Sequence, residues 1–174
     1  MVSELSAKDG TAGVVGLAAG FLLGFLTNHI LRRLKTQDVY YESDDDDEPP
    51  TSYRASGEEH RLILCVRTDL KMQKGKIAAQ VGHATLGAFK AAARRAPAAL
   101  KTWEVNAQPK IAVQIRSYKE AQQLQRHANS LGLVTYMVYD AGKTQIAAGS
   151  MTVLAVGPGP VSLVNQVTGK LRLL

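Results

Sequence analysis

Residues 68–84 read TDLKMQKGKIAAQVGHA, and the patterns around this stretch predict the fold. The apolar run Leu62–Val66 comes just before it and is typical of a buried strand. The stretch begins as a loop with three lysines and continues into a helix built of small residues. A strand, a cationic loop and a helix start predict an anion-binding site, because the first N–H groups of a helix point outwards and carry partial positive charge.

The predicted helix also places three polar side chains in one row. Gln80 follows Lys76 by four residues and His83 follows it by seven, so all three share one face of a helix. A lysine, an amide and an imidazole beside an anion site are typical of an active-site wall. A purely structural role for His83 is the alternative.

A second polar loop, residues 140–150, follows the third predicted strand. Its polar residues include Asp140, Lys143, Thr144 and Gln145. If the first and third strands run in the same direction, this loop and residues 68–75 leave the sheet at one edge, close to Lys76. Asp140 has two alternative interpretations, as a turn-forming residue or as the neutralising partner of Lys76. Thr144 is equally compatible with a turn.

The charge of the chain is divided unevenly. Residues 61–174 contain 16 Lys+Arg and 4 Asp+Glu, which gives a formal charge of +12. Residues 1–60 contain 5 Lys+Arg and 11 Asp+Glu, which gives a formal charge of −6. A domain this basic is typical of a protein with a polyanionic partner, most simply a nucleic acid. A soluble cationic protein without such a partner is the alternative. The single cysteine, Cys65, forms no disulfide within the chain and no zinc site.

Residues 10–31 contain no Asp, Glu, Lys or Arg, and these 22 residues would form a helix about 33 Å long, enough to cross a bilayer core. This predicts a transmembrane anchor after a short tail, residues 1–9. A cleaved signal peptide is the rival, but the start is not basic and no small-residue cleavage site follows. Residues 32–60 begin with a basic flank, which favours a cytosolic position for the domain behind it. The acidic remainder predicts a disordered linker.

Beyond residue 60, strand and helix patterns alternate. Predicted strands cover Leu62–Arg67, Lys110–Arg116, Leu133–Tyr139 and Thr152–Val156. Predicted helices cover Lys76–Arg95, Ala98–Val105, Ser117–Ser130, opened by a capping box with Glu120, and Val161–Val167. The alternation predicts an α/β domain with a mixed, mostly parallel four-stranded sheet flanked by helices. The GPGP sequence at 157–160 predicts a corner, and the short link between the last two strands predicts one antiparallel pair.

Several strings together resemble the archaeal–eukaryotic, or second, type of peptidyl-tRNA hydrolase. They are VRTDLKMQKGKIAAQVGHA at 66–84, QPK at 108–110, DAGKTQIAAGS at 140–150 and VLAVGPGP at 153–160. The resemblance covers residues 61–174 with the strings in the right order. Gln73 departs from the family pattern because a glycine is usual there, and this puts the usual backbone conformation of the loop in doubt. Ala148 and Ala155 also replace a usual proline and glycine.

The resemblance implies a compact α/β domain, no metal or other cofactor, and hydrolysis of the ester that joins a peptide to the 3′ ribose of tRNA. It implies catalytic roles for Lys76, His83, Asp140 and Thr144. We expect the substrate to be bound by Lys71, Lys74, Gln80, Lys143 and Gln145. The sequence leaves two roles open for Lys76, either a catalytic role or phosphate binding alone.

The N-terminal span resembles that of animal family members attached to mitochondria. This implies anchoring in the mitochondrial outer membrane, with the catalytic domain, residues 61–174, facing the cytosol. It also allows a cytosolic location beside the membrane-bound one. Expected partners are peptidyl-tRNA, the membrane, a second copy of the chain and apoptosis-related proteins. The rival function is a non-catalytic, membrane-tethered adaptor that binds RNA or proteins in apoptosis signalling.

Overall fold

The computed structural model describes Thr27 and residues 57–142 and 146–174. The fold described below is that of residues 57–142 and 146–174. Its strands are β1 (His60–Arg67), β2 (Lys110–Ile115), β3 (Thr135–Tyr139) and β4 (Met151–Pro160). Its helices are α1 (Lys74–Arg95), α2 (Pro97–Val105), α3 (Tyr118–Ser130) and α4 (Val161–Thr168). The predicted order of strands and helices is confirmed.

The N-terminal predictions fall almost entirely on residues that the structure does not describe. Apart from Thr27, the anchor predicted over residues 10–31 lies outside the described residues. The same is true of residues 1–9 and of most of the linker predicted over residues 32–60. Within the described part of the chain, no helix is both long enough and apolar enough to cross a membrane.

The four strands form one mixed sheet in the order β2-β1-β4-β3. β1 and β2 are parallel, whereas β4 is antiparallel to both of its neighbours, β1 and β3. The predicted mixed four-stranded sheet is therefore confirmed, but the prediction that it is mostly parallel is wrong. The chain returns from β3 to β4 through a loop too short for a crossover helix, so β4 runs against β3. β1 runs in the same direction as β3, so the pairing of β4 with β1 is also antiparallel.

The corner predicted for the GPGP sequence is also wrong. Residues 157–160 continue β4, and Gly159 pairs with Arg61 of β1 while Pro160 pairs with His60. A shift of register in β1 between Arg61 and Ile63 accommodates this part of the strand. Gly157 has a φ of +97°, and a Cβ there would lie 2.6 Å from the Arg61 carbonyl oxygen, so only glycine fits.

The sheet is covered on both faces, which makes three layers. On one face, Leu64 and Val66 of β1 belong to an apolar cluster with Ala84 and Ala88 of α1. On the other face, β1 contributes Ile63 and Cys65, which cluster with buried residues of α3 and α4. A strand buried on both faces needs apolar residues at every position, which explains the continuous run in β1.

Cys65 lies within the predicted buried strand and is completely buried, and its environment removes it from any chemistry. Burial, with a smaller contribution from the charge of Glu120, raises the pKa of the Cys65 thiol to about 12. A neutral buried thiol behaves as a small apolar side chain.

Helix α1 lies close to the sheet because its inner face is built of alanine and glycine. Gly87 is the tightest point, since a Cβ at this position would lie 2.1 Å from the ring of Tyr136 in β3. Larger side chains on this face would push the helix away from the sheet. The small residues of α1, Ala84, Gly87 and Ala88, therefore set the distance of the helix from β3.

Candidate active site

The loops that follow β1, β2 and β3 leave the sheet at one edge. β1 and β3 are both antiparallel to β4, so they run in the same direction although they are not neighbours. β2 is parallel to β1. The prediction that the loops after the first and third strands meet at one edge is confirmed, and β4 begins at the same edge.

The start of α1 has no side-chain cap. Gln73 precedes the helix, makes no capping hydrogen bond, and no acidic residue lies in the first turn. Its φ of −73° and ψ of 159° are ordinary extended values, so a glycine is not required there. The left-handed residue of the loop is Lys71, with a φ of 50°, whose N–H donates to the Thr68 carbonyl at 3.1 Å. Thr68 is itself anchored, because its N–H and hydroxyl both donate to the Ile115 carbonyl of β2.

The one acid in this loop is paired. Asp69 accepts two hydrogen bonds from Arg67, at 3.0 and 2.5 Å, and these bonds hold the pKa of the Asp69 carboxyl below its ordinary value. Arg67 also donates to the Met151 carbonyl at 3.0 Å, which ties the end of β1 to the start of β4. The Asp69 charge is therefore compensated within the loop, and Lys71 and Lys74 are exposed at the helix start.

Asp140 is the buried carboxylate of this edge. It lies directly after β3 and is 3 % exposed. Its Oδ2 accepts a hydrogen bond from the Lys76 ammonium group, and the Gln80 amide nitrogen lies 3.5 Å from the same oxygen. Its Oδ1 accepts the Gly142 N–H at 2.9 Å. Both carboxylate oxygens are thus oriented, one by the helix and one by the loop.

A buried hydroxyl continues this network. The Thr152 hydroxyl of β4 donates to the Gln80 side-chain oxygen at 2.5 Å, and the Val138 carbonyl lies 3.2 Å away as an alternative acceptor. A carboxylate only accepts hydrogen bonds, so the Gln80 NH₂ group must face Asp140 and its oxygen must face Thr152. The four side chains therefore form one connected chain, Lys76–Asp140–Gln80–Thr152.

Thr152 was not predicted as a site residue from the sequence. It is completely buried, and it is the one polar residue near the start of an otherwise apolar strand. That position is a usable signal, because a buried hydroxyl needs a partner and the start of β4 lies at the same edge as Asp140. What could not be read from the pattern is that the partner is Gln80, which is 72 residues away along the chain.

The remaining predicted site residues divide into two groups. His83 is exposed, and the described hydrogen bonds of the Asp140 side chain come from Lys76, Gln80 and Gly142 instead. It lies about 60° around the helix from Gln80, and whereas Gln80 is buried, His83 is exposed. The second group, Lys143, Thr144 and Gln145, lies outside the described residues.

No metal centre is evident in the described residues. Within residues 57–142 and 146–174, no three His, Cys, Asp or Glu side chains come together as a ligand set. The chemistry available there is that of an oriented carboxylate, an ammonium group and the N–H groups of an uncapped helix start. This combination suits the addition of water to an ester next to a phosphate.

A cationic α/β domain with an oriented carboxylate–lysine pair beside an open helix start is the arrangement expected of a hydrolase that acts on a nucleic-acid ligand. Residues 60–174 match the family model described as peptidyl-tRNA hydrolase PTH2. The chain belongs to this family, and it is a hydrolase that acts on the ester bond of peptidyl-tRNA.

Similar proteins cover both the whole chain and the matched part. The chain is 45% identical to the mitochondrial peptidyl-tRNA hydrolase 2 of Mus musculus, over 99% of this chain and 97% of the relative. The Homo sapiens protein of the same name is 42% identical with the same coverage. The peptidyl-tRNA hydrolase of the archaeon Thermococcus sibiricus is 39% identical, over 67% of this chain and 98% of the relative.

Proposed function

We propose that Asp140 and Lys76 carry out the hydrolysis of peptidyl-tRNA. Asp140 orients a water molecule and takes its proton as the water oxygen attacks the ester carbonyl carbon. Lys76 stabilises the negative charge that develops on the carbonyl oxygen. The bond to the ribose 3′ oxygen then breaks, and the proton returns from Asp140 to that oxygen. The products are a tRNA with a free 3′ hydroxyl and a peptide with a new carboxyl group, which keeps the second proton of the water and then loses it to solvent.

The observation that carries this proposal is the buried, oriented Asp140 carboxylate at the sheet edge. The Lys76 side chain is 16% exposed while that of Asp140 is 1% exposed, so the ammonium group links the buried carboxylate to the surface. Gln80, supported by Thr152, holds Asp140 from the sheet side. Gln80 was predicted to bind the substrate, but it is buried between Asp140 and Thr152. We therefore assign Gln80 and Thr152 positioning roles, because they reach the reacting atoms only through Asp140.

The RNA contacts follow from charge and from the open helix start. Lys71 and Lys74 are exposed beside N–H groups that no side chain caps. An RNA phosphate placed there gains both the lysine charges and the partial positive charge of the helix. Lys143, Gln145 and Thr144 retain their proposed roles, the first two in substrate binding and Thr144 in positioning the water or the substrate by a hydrogen bond. For His83, which was predicted to be catalytic, we propose a substrate contact on the exposed flank of α1 instead, because it is exposed and the described hydrogen bonds of Asp140 do not include it.

Single-turnover cleavage of peptidyl-tRNA by the full chain tests the proposal. Asp140→Asn keeps the size of the side chain but removes the proton acceptor, so the cleavage step should slow while tRNA binding persists. Ser117→Ala, remote from Asp140, is the control. Cleavage by Asp140→Asn at the wild-type rate would overturn the assignment.

A second test addresses RNA binding separately. Lys74→Ala should weaken tRNA affinity and reduce the slope of log affinity against log salt by about one. An unchanged slope would remove Lys74 from the interface.

The names of similar proteins support a mitochondrial location for this chain. The relatives from Mus musculus, Homo sapiens and Bos taurus are all named as mitochondrial. The finer proposal, an outer-membrane anchor over residues 10–31 with the domain in the cytosol, is supported by the uncharged sequence and its basic flank. A fluorescent fusion of residues 1–40 tests it, since diffuse fluorescence would exclude an anchor.

The non-catalytic adaptor is less well supported than the enzyme. The family is one of hydrolases, and the Asp140 carboxylate is held by the Lys76 and Gln80 side chains of α1 and by the Gly142 N–H, with Gln80 in turn bonded to Thr152 of β4. Binding to a second copy or to apoptosis-related proteins is a separate proposal that is compatible with catalysis. It predicts that Asp140→Asn abolishes peptidyl-tRNA turnover and leaves such binding intact.

A further inference from the structure

One flank of α1 is exposed, uncharged and continuous with the proposed active site. Ala79, His83 and Leu86 follow Lys76 at intervals of three, four and three residues, so they lie along one side of the helix. All three are exposed, and Leu86 is 55% exposed. This surface, called here the α1 flank, begins at the residue that contacts Asp140.

The absence of charge on this surface is unusual for the domain. The 13 residues between Lys76 and Lys90 include no Asp, Glu, Lys or Arg, although residues 61–174 have a formal charge of +12. RNA gains little from a surface without cations, because phosphate contacts dominate its affinity. The flank therefore suits a neutral or apolar ligand better than it suits the tRNA.

The small residues of the flank leave room for such a ligand. Ala79 and Gly82 are exposed, and a Cβ added at Gly82 would meet no heavy atom within 4 Å. A chain can therefore approach the helix closely, with Leu86 as an apolar contact further along. Phe89, 36% exposed, extends the apolar surface by one turn.

We propose that the α1 flank binds the peptide part of peptidyl-tRNA. This inference rests on the proposed function, which places the reacting ester at Asp140 and Lys76. From that ester the RNA follows the cations at the start of α1, and the peptide leaves in the other direction along the helix. Its sequence varies from one substrate to the next, so an apolar surface of small residues with no charge preference is suited to it.

The distance from Lys76 to Leu86 determines how long a peptide must be to contact the whole flank. Lys76 and Leu86 are ten residues apart, about 15 Å along the helix. An extended peptide covers this distance with about five residues at roughly 3.3 Å each. A substrate with one amino acid cannot reach Leu86, whereas a substrate with five can. The contribution of the flank should therefore appear only as the peptide grows.

The test compares two tRNA substrates, one carrying a single N-acetylated amino acid and one carrying an N-acetylated apolar pentapeptide. The wild-type chain should show a higher kcat/KM for the longer substrate. Leu86→Glu should lower kcat/KM for the pentapeptide about fivefold, the loss expected for one partly buried apolar side chain. It should leave the single-residue substrate unchanged.

Val105→Glu is the matched control. Val105 is an apolar residue of α2 that is 74% exposed, so the change adds the same charge away from the flank. It should affect neither substrate. Leu86→Lys provides an independent variant. Its kcat/KM should be higher for a pentapeptide that carries glutamate near its N-terminus than for the neutral pentapeptide.

The kcat/KM values distinguish peptide binding by the flank from binding of a second copy and from failure of the proposed function. Equal wild-type kcat/KM for both substrates, or an equal loss for both in Leu86→Glu, would overturn the inference. A change of oligomeric state in Leu86→Glu, seen by light scattering with equal losses for both substrates, would assign the flank to a second copy instead. No cleavage of either substrate by the wild-type chain would overturn the proposed function and this inference with it.

Discussion

Helices α1 and α3 begin at the same edge of the sheet, after neighbouring parallel strands, but their starts differ. The start of α3 is closed by a capping box, because the Ser117 hydroxyl oxygen accepts the Glu120 N–H at 3.1 Å and Glu120 accepts the Arg116 N–H at 2.6 Å. The start of α1 has no side-chain cap and no acid in its first turn. A helix that only supports the fold gains stability from a cap, whereas an open start keeps its N–H groups available to a ligand.

Because the two helix starts differ, we expect substitutions at the α3 start to change stability and substitutions at the α1 start to change function. The α3 start should contribute to stability and little to catalysis. The α1 start should contribute to substrate binding and catalysis, at some expense in stability. Four substitutions, ordered from the largest expected effect to the smallest, test this division.

Asp140→Asn should have the largest effect, because the carboxylate next to the α1 start is the proposed proton acceptor. We expect the single-turnover rate to fall roughly 10²- to 10⁴-fold. The tRNA affinity should change by much less, since Lys71 and Lys74 remain. Rapid-quench measurement of the cleavage step checks this, with equilibrium binding measured separately. A large loss of affinity with an unchanged rate would instead make Asp140 a binding residue.

Gln73→Asp should make the α1 start resemble that of α3. The new carboxylate should cap the helix and stabilise the fold by about 0.5–1 kcal/mol. It should also weaken tRNA binding several-fold and reduce its salt dependence, since it competes with phosphate for the same N–H groups. Gln73→Asn, a neutral cap, is the control. Tighter tRNA binding by Gln73→Asp would contradict a phosphate site at the helix start.

Ser117→Ala should affect stability alone. Loss of the cap should reduce the free energy of unfolding by about 1 kcal/mol, measured by urea titration. The single-turnover rate on peptidyl-tRNA should stay at the wild-type value. Ser117→Thr, which can still accept the Glu120 N–H, should recover most of the stability. A slower cleavage step in Ser117→Ala would mean that the α3 start also contributes to the site.

Asp69→Asn should have the smallest effect, because Arg67 already compensates its charge near the α1 start. The hydrogen bonds from Arg67 lower the pKa of the folded-state Asp69 carboxyl. The stabilising contribution of this pair is therefore present above the unfolded pKa and is lost as the pH falls through the folded pKa. Since Asp69 is partly exposed, the loss of stability near neutral pH should be a few tenths of a kcal/mol. The difference from wild type should vanish in strong acid, and a constant difference would exclude Asp69 titration as its cause.

Local patterns in the sequence were sufficient for much of this description. The continuous apolar run of β1, the small-residue helix after it and the Ser117–Glu120 capping box depend on neighbouring residues, so spacing alone predicts them. The concentration of positive charge beyond residue 60 is likewise a property of composition. Helix periodicity and the meeting of strand ends at one edge are general rules, so they predicted that Lys76, Gln80 and Asp140 would lie close together, as the structure shows.

The tertiary structure decided the rest, because it depends on contacts between distant parts of the chain. The insertion of β4 between β1 and β3 made the sheet mainly antiparallel, and no local signal specifies which strands β4 will join. The same insertion brought Thr152 to Gln80 and made Asp140 part of a buried network. The close packing of α1 on the sheet buried Gln80 and left His83 and Leu86 exposed. The sequence alone thus determined the elements and the kind of ligand, whereas strand pairing and helix packing determined which side chains meet.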